Sequence, residues 1–457
     1  MVRTGLSPLA SRRAFLHTFG CQMNKLDSEL LAGRLQEAGF TLVRRREEAD
    51  LVVYNTCSVR QKAEEKVYSH LGELKRLKDA NPDLVIAVVG CMAQREKDAV
   101  FARAAHVDIV CGTSRFLELP GMVERCRADR KRQVAVGEEP QDYHREVRHR
   151  PTPWSAFLAV MRGCNNFCSY CIVPYVRGRE ASRAPTEILE EARCLLDDGV
   201  QEITLLGQMV NAYGRDLTPT IDLADLLRQL ALLPGLRRLE FITSHPRFMA
   251  EKLIRTMAEF PVISRYLHLP VQSGSDPVLK AMNRGYAADD FRRAIGLARE
   301  LMPAAGLLPA LEISSDFIVG FPGETDEDFA ATAELLQWSK LLNAFIFKYS
   351  PRPGTAAAKL PDDVPLKVKK ERNWKLLALQ EEISRARHVA LHGRPMEIVL
   401  TGPSKNDPGN WMGRSHANHI VVVPTTPGLT RGERLVVEIT HSTPLTLFAR
   451  PLPKETA

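Results

Sequence analysis

No stretch of this 457-residue chain is apolar for long enough to cross a bilayer. The longest run, Leu84 to Ala93, falls well short of the roughly 20 residues a spanning helix needs, so no contact with a membrane interior is expected. A strong charge imbalance is also missing. Sixty-two basic against 55 acidic residues leave a formal charge of +7, which only weakly favours an acidic partner. An even set of cysteines is missing too. Nine cysteines and no secretory apolar segment argue against a disulfide framework and for a reducing compartment, so the expected location is cytoplasmic. Residues 1 to 14 hold three arginines, two serines and no acid, and are expected to form a short disordered tail.

What the chain does have is length, and cysteines in particular places. Its length allows roughly three domains of about 150 residues. A composition 44% hydrophobic and 26% charged is ordinary for a soluble globular protein. The stretch Met161 to Tyr175 follows the apolar run Ala156 to Met161 and carries Cys164, Cys168 and Cys171 in C-x-x-x-C-x-x-C spacing. A zinc site would need a fourth ligand when structural, or water when catalytic. A cubane iron-sulfur cluster held by three thiolates keeps one iron open for another ligand. The cluster is the preferred reading, ahead of zinc and of plain core cysteines.

From Ala14 to about Arg130, β-rich runs (Phe15 to Phe19, Asp50 to Tyr54, Leu84 to Val89, Val107 to Val110) alternate with helical patterns (Ser28 to Ala38, Val59 to Asp79, Arg95 to Ala105, Phe116 to Ala128). The alternation implies a doubly wound parallel sheet over 14–130, with functional loops at the carboxyl ends of the strands. Cys21, Cys57 and Cys91 follow the first three strands. A small buried residue near a strand end is the bland reading of each; three in succession favour a second ligand set. Cys111 also ends a strand and reads as a buried thiol. Cys126 and Cys194 lie in helical patterns and read as core.

Residues 131–153 run to charge and proline and read as a linker. From Trp154 to about 391, six strand candidates (Ala156 to Met161, Glu202 to Leu206, Arg238 to Ile242, Tyr266 to Leu269, Ile313 to Val319, Ala344 to Tyr349) are separated by helical patterns. Six βα units fit either a doubly wound sheet or an incomplete barrel. Both put chemistry after the strands, where Gln208, Ser273, Gly320 and Gly323 are candidates to hold a cofactor, each with an equally good reading as a turn residue. Tyr170, inside the cysteine loop, is a candidate to pack beside such a cofactor. His245, before Pro246, reads better as a capped turn histidine than as a general base. The segment Leu366 to Leu391 is a long basic helical pattern, tilting modestly toward nucleic acid. Five short strands between 392 and 455 read as a small antiparallel barrel of the OB sort, with Trp411, Phe448, Arg414, Arg431 and Arg450 as possible RNA contacts and at least one aromatic claimed by the core.

The string from Arg162 to Glu180, with Tyr170 just before the last cysteine, resembles the radical S-adenosylmethionine (AdoMet) superfamily, and within it the tRNA methylthiotransferases of the MiaB type. The blocks His268 to Ser275, Met282 to Tyr286 and Phe317 to Glu324 resemble that branch as well. Met209 departs from it, standing where the family has asparagine, which puts a polar contact in doubt but not the fold. The resemblance implies a partial (β/α)6 barrel over 154–391 and a TRAM RNA-binding domain over 392–455. It implies two 4Fe-4S clusters: a radical one on Cys164, Cys168 and Cys171, binding AdoMet, and an auxiliary one on Cys21, Cys57 and Cys91, carrying sulfur. The implied reaction methylthiolates carbon 2 of N6-dimethylallyladenosine beside the anticodon of tRNA. It would need an electron donor such as flavodoxin or ferredoxin and a sulfur donor, and the chain is expected to act as a monomer. Three alternatives stay open: a threonylcarbamoyl-adenosine tRNA substrate, a ribosomal protein substrate, and an iron-sulfur RNA-binding protein without catalysis.

Overall fold

The computed structural model describes residues 12–58, 61–137, 149–404 and 407–453. They fall into two compact units: those within 1–152, 162–165 and 171–180, and those within 153–161, 166–170 and 181–457. Among the described residues no helix is long and apolar enough to cross a membrane. The expected tail lies largely outside the described residues, but its last three residues already belong to a strand.

The first unit runs β1 (Arg12–Thr18), α1 (Gln22–Glu37), β2 (Phe40–Leu42), β3 (Leu51–Thr56), α2 (Gln61–Ala80), β4 (Val85–Gly90), α3 (Cys91–Glu96), α4 (Ala99–Arg103), β5 (Ile109–Cys111), α5 (Leu119–Asp129) and β6 (Gln133–Ala135). All six strands are parallel, in the order β2-β1-β3-β4-β5-β6. Every residue of β3 and β4 is buried, as expected for strands covered on both faces by helices. Two apolar clusters, one on each face, form the core. The order reverses between β1 and β3, and such a reversal opens a crevice beyond the carboxyl ends of those strands.

Three departures from expectation have local causes. The first helix starts at Gln22 instead of Ser28, because its buried face mixes Met23 and Leu26 with the polar Asn24, Asp27 and Ser28, which blurs apolar periodicity. The pattern from Arg95 to Ala105 is two short helices, separated where Lys97 takes a left-handed φ of 51°. β6 falls inside the expected linker and adds a sixth strand; residues 138–148 of that linker lie outside the described ones.

In the loop region come β8 (Met161–Arg162), α6 (Val173–Arg177) and β9 (Ala181–Ser182), preceded by β7 (Ser155–Ala159). The second unit continues with α7 (Pro185–Asp197), β10 (Glu202–Leu206), α8 (Leu223–Ala231), β11 (Arg238–Phe241), α9 (Glu251–Glu259), β12 (Tyr266–His268), α10 (Asp276–Ala281), α11 (Ala288–Leu301), β13 (Glu312–Val319), α12 (Asp326–Ser339), β14 (Asn343–Lys348) and α13 (Leu366–Val389). β7, β10 and β11 pair in parallel, as do β12, β13 and β14, and Leu239 bridges to Ile263 between the two sets. Neighbours in space follow chain order with no reversal, so this is the partial barrel and not a second doubly wound sheet. Cys194, expected in the core, is exposed on α7, while Cys126 is buried as expected.

The last five strands, β15 (Pro395–Pro403), β16 (Asn410–Ser415), β17 (Ile420–Pro424), β18 (Arg434–Ser442) and β19 (Leu447–Pro451), close into a barrel. It is not wholly antiparallel: β17 and β19 pair in parallel. Strands that alternate in direction cannot alternate all the way round an odd-membered ring, so one pair must run parallel.

Candidate metal centres

Register brings the first three cysteines to one edge. In the β3–β4 ladder Thr56 faces Gly90, so Cys57 and Cys91 leave adjacent strands side by side. β1 ends against Asn55, with Phe19 N–H donating to Asn55 O at 2.7 Å, and Cys21 follows two residues later at the start of α1. Glycine precedes two of these thiols for a steric reason. Gly20 has φ of +139°, and a Cβ there would lie 2.7 Å from the Cys57 Cβ. Gly90 has φ of +97°, and its Cβ would strike Asn55 Oδ1 and the Thr56 carbonyl.

The edge is knitted by buried polar side chains. Asn24 Nδ2 donates to Asn55 Oδ1 and Thr56 O, both at 3.0 Å, and Asn55 Nδ2 returns a bond to Asn24 O at 2.9 Å. The Cys21 thiol donates to Asn24 Oδ1 at 3.2 Å. Cys91 accepts a hydrogen bond from Arg177 Nε at 3.2 Å, and Arg177 NH2 lies 2.7 Å from Asp27 Oδ2. Burial alone would lower Arg177, but Asp27, then the Cys91 and Cys21 thiols, hold it well above its ordinary range. A protonated Cys91 is favoured by burial, with Arg177 working for the thiolate. Three thiols of one site, helped by a buried guanidinium, suit an iron-sulfur cluster. Among the described residues no three His, Cys, Asp or Glu side chains close round a single point, in either cysteine set.

Cys111 does not join them. Burial pushes its thiol up to about 12, and it donates to Arg115 O at 3.2 Å.

The radical-type loop divides between the units, Cys164 and Cys171 grouping with the first and Cys168 with the second. In the first, Cys164 N–H donates to Gly178 O, and Asn165 and Glu180 exchange backbone-to-side-chain bonds. In the second, Ser169 N–H donates to Met282 O at 2.9 Å and Asn283 Nδ2 to Phe167 O at 3.0 Å. Cys168 Sγ accepts two bonds, from Asn166 Nδ2 and from Arg284 NH1, each 3.3 Å. Arg284 is 5% exposed, and its other donors reach Pro270 O and the Tyr286 hydroxyl. Burial would depress it; the phenols of Tyr170 and Tyr286 and the Cys168 thiol outweigh that, and Arg284 forms no ion pair with a carboxylate among the described residues. A buried cation without a carboxylate calls for another anion, which a thiolate-held cluster provides.

The small-molecule candidates are mixed. Tyr170 packs with Val278, Met282, Phe321 and Tyr349. Gln208 lies just past β10 and is partly exposed. Ser273 is fully buried and its hydroxyl is bonded to Thr332 Oγ1 and the Ser275 N–H, which is the turn reading. Gly320 N–H already donates to Glu324 Oε1 and Gly323 N–H to Asp363 Oδ1. Met209 is buried. His245 caps its turn as expected: Nδ1 accepts from Arg247 N–H, Nε2 lies 2.6 Å from Asn166 Nδ2, and Asn211 brackets its backbone. Burial, then Arg284 and Arg247, push its pKa down to about 2, which keeps it neutral.

Comparison with known proteins finds families for three successive stretches of the chain. The uncharacterized protein family UPF0004 matches residues 13–112, the Radical SAM superfamily 158–336 and the TRAM domain 389–452. The tRNA-2-methylthio-N(6)-dimethylallyladenosine synthase of Moorella thermoacetica is 43% identical over 94% of this chain and 97% of its own. That of Syntrophotalea carbinolica is 44% identical over 91% and 94%. The chain belongs to this synthase family. A radical S-adenosylmethionine methyltransferase, TsrM of Kitasatospora setae, shares the fold at a TM-score of 0.54, with 16% identity over 76% of this chain and 75% of its own.

In this synthase-family chain the TRAM barrel claims Trp411 for its core, while Phe448 stacks on His441 with ring centroids 4.3 Å apart. Arg414 is bonded to Asn418, and Arg450 to Glu438, so neither is held ready as a bare cation. Sequence reasoning passed over Asn24, Asp27, Asn166, Arg177 and Arg284. The signal was there for some of them: Arg177 lies in the string and Arg284 in a block that carry the family resemblance, yet neither had a role by residue type alone.

Proposed function

We propose that this protein methylthiolates carbon 2 of N6-dimethylallyladenosine next to the anticodon of tRNA. The identity to synthases of that name across nearly the full length of both chains carries the reading. Cys164, Cys168 and Cys171 are the residues to hold a 4Fe-4S cluster with AdoMet on its open iron, and Cys21, Cys57 and Cys91 a second such cluster. When bound and reduced, the first supplies a radical able to take hydrogen from an inert C–H bond, and the second presents sulfur for insertion.

The protein's own part is to hold and to shield. Arg284 and Asn166 fix Cys168 and compensate its charge. Tyr170, on its apolar ledge, is the residue that would pack against the adenine of AdoMet. Gln208 is the residue to orient its polar groups; the Gly320 and Gly323 N–H groups are spent on Glu324 and Asp363 and hold their loop in shape, and Ser273 braces its turn. The TRAM barrel is the part that contacts tRNA. An electron donor of the flavodoxin or ferredoxin kind and a sulfur donor complete the cycle, in the cytoplasm, with the protein acting as a monomer.

Mass spectrometry of tRNA nucleosides from cells with and without the gene tests the reading. Loss of the 2-methylthio nucleoside and accumulation of N6-dimethylallyladenosine on deletion is the expected result. Unchanged tRNA nucleosides would overturn it.

A further inference from the structure

We propose that Arg177 is the positioning residue of the first-unit thiol site, and that the Arg177–Asp27 pair sets the reduction potential of the cluster held there. The inference rests on the reading that Cys21, Cys57 and Cys91 carry such a cluster. Arg177 and Asp27 have side chains 8% and 1% exposed, so the pair is shielded from the screening that weakens surface charges. The guanidinium faces two ways: NH2 to the Asp27 carboxylate at 2.7 Å and Nε to Cys91 Sγ at 3.2 Å. Its helix is itself anchored, with Ile172 and Val176 packed on Cys91 and the Val176 carbonyl accepting from Thr113 Oγ1 at 2.7 Å. That helix opens at Val173, two residues after Cys171, so one helix follows a radical-loop cysteine and delivers a donor to a thiol of the other set.

The sign of each contribution follows from electrostatics. An N–H···S bond and a nearby cation stabilise the more electron-rich, reduced state and raise the potential. A buried carboxylate on the far side of the guanidinium opposes this. Asp27 thus orients Arg177 while moderating its charge, and the two residues shift the potential in opposite directions.

The test uses the full-length chain with Cys164, Cys168 and Cys171 replaced by alanine, loaded anaerobically with iron and sulfide. Iron per chain is measured, followed by potentiometric titration with dithionite read by electron paramagnetic resonance. Asp27→Asn is expected to raise the potential, and Arg177→Met to lower it. The D27N/R177M double variant removes both charges and keeps a neutral interior where R177M alone fails to fold; it should titrate below D27N. Arg177→Lys, which keeps the charge but not the planar fork, should fall between parent and R177M. Potentials unchanged in the variants, or shifted the same way by both single changes, would overturn the proposal. A parent chain that binds no iron would overturn the cluster reading and this inference with it, which keeps the two failures distinct.

Discussion

Replacing Arg372 with methionine strikes the loop that carries Gly320 and Gly323 without touching either glycine. Arg372 on α13 donates from NH1 to Glu324 Oε1 at 2.7 Å and to Glu324 O at 3.1 Å. The same carboxylate oxygen accepts from Gly320 N–H at 2.9 Å, so the guanidinium holds the acceptor that closes the turn. The Glu324 and Arg372 side chains are 2% and 7% exposed. Arg372→Met strands a buried carboxylate, for which breaking a buried pair costs about 3–5 kcal/mol. The second contact, to Asp326, adds little because that carboxylate is 90% exposed. Urea denaturation at pH 7.5 should show a loss of that order, and the KM for AdoMet should rise because the turn loosens. Burial already pushes the Glu324 carboxyl up in the native protein. In the variant nothing from Arg372 opposes that. A carboxyl raised on folding is tolerated while protonated and penalised as pH rises, so the deficit should be smaller at pH 5 than at pH 8. The double variant R372M/E324Q removes the stranded charge and should recover most of the loss. A deficit under about 1 kcal/mol for R372M, or a double variant no better than the single, would refute the reasoning.

Alanine at Cys164, Cys168 or Cys171 should abolish formation of 5′-deoxyadenosine from AdoMet, whereas alanine at Cys21, Cys57 or Cys91 should spare it while lowering iron per chain; both are read by chromatography and iron analysis. Cys111→Ala should leave the iron content unchanged, since that thiol points to Arg115 O and stays protonated. His245, with a pKa of about 2 against an ordinary 6.5, contributes stability above pH 6.5 that is lost as pH falls toward 2. At pH 4.5 that loss is about 3 kcal/mol. His245→Asn should flatten this part of the stability–pH curve in urea titrations.

Much of the architecture was legible in the chain because it rests on period and punctuation. The alternation of mostly apolar runs with helical patterns identified the parallel strands β3 and β4, and six βα units were countable, though only the family resemblance chose a barrel over a doubly wound sheet. What escaped had little local signal. β2 and β6 are three residues each, too short to show alternation, and they are strands only because a neighbour offers a ladder. The amino end of α1 was hidden because Asn24, Asp27 and Ser28 are buried for hydrogen bonding and look, by composition, like a solvent face.

The six cysteines divide along the same line. Spacing alone singles out Cys164, Cys168 and Cys171 as a candidate set, because C-x-x-x-C-x-x-C keeps three thiols within eight residues. Cys21, Cys57 and Cys91 are distant in the chain, and only parallel pairing of β1, β3 and β4 makes them neighbours. The arginines belong wholly to the tertiary level. Nothing in residue type distinguishes Arg177 or Arg284 from the exposed arginines around them. Burial against a thiol does, because a guanidinium taken out of water must find an anion, and the fold decides which one.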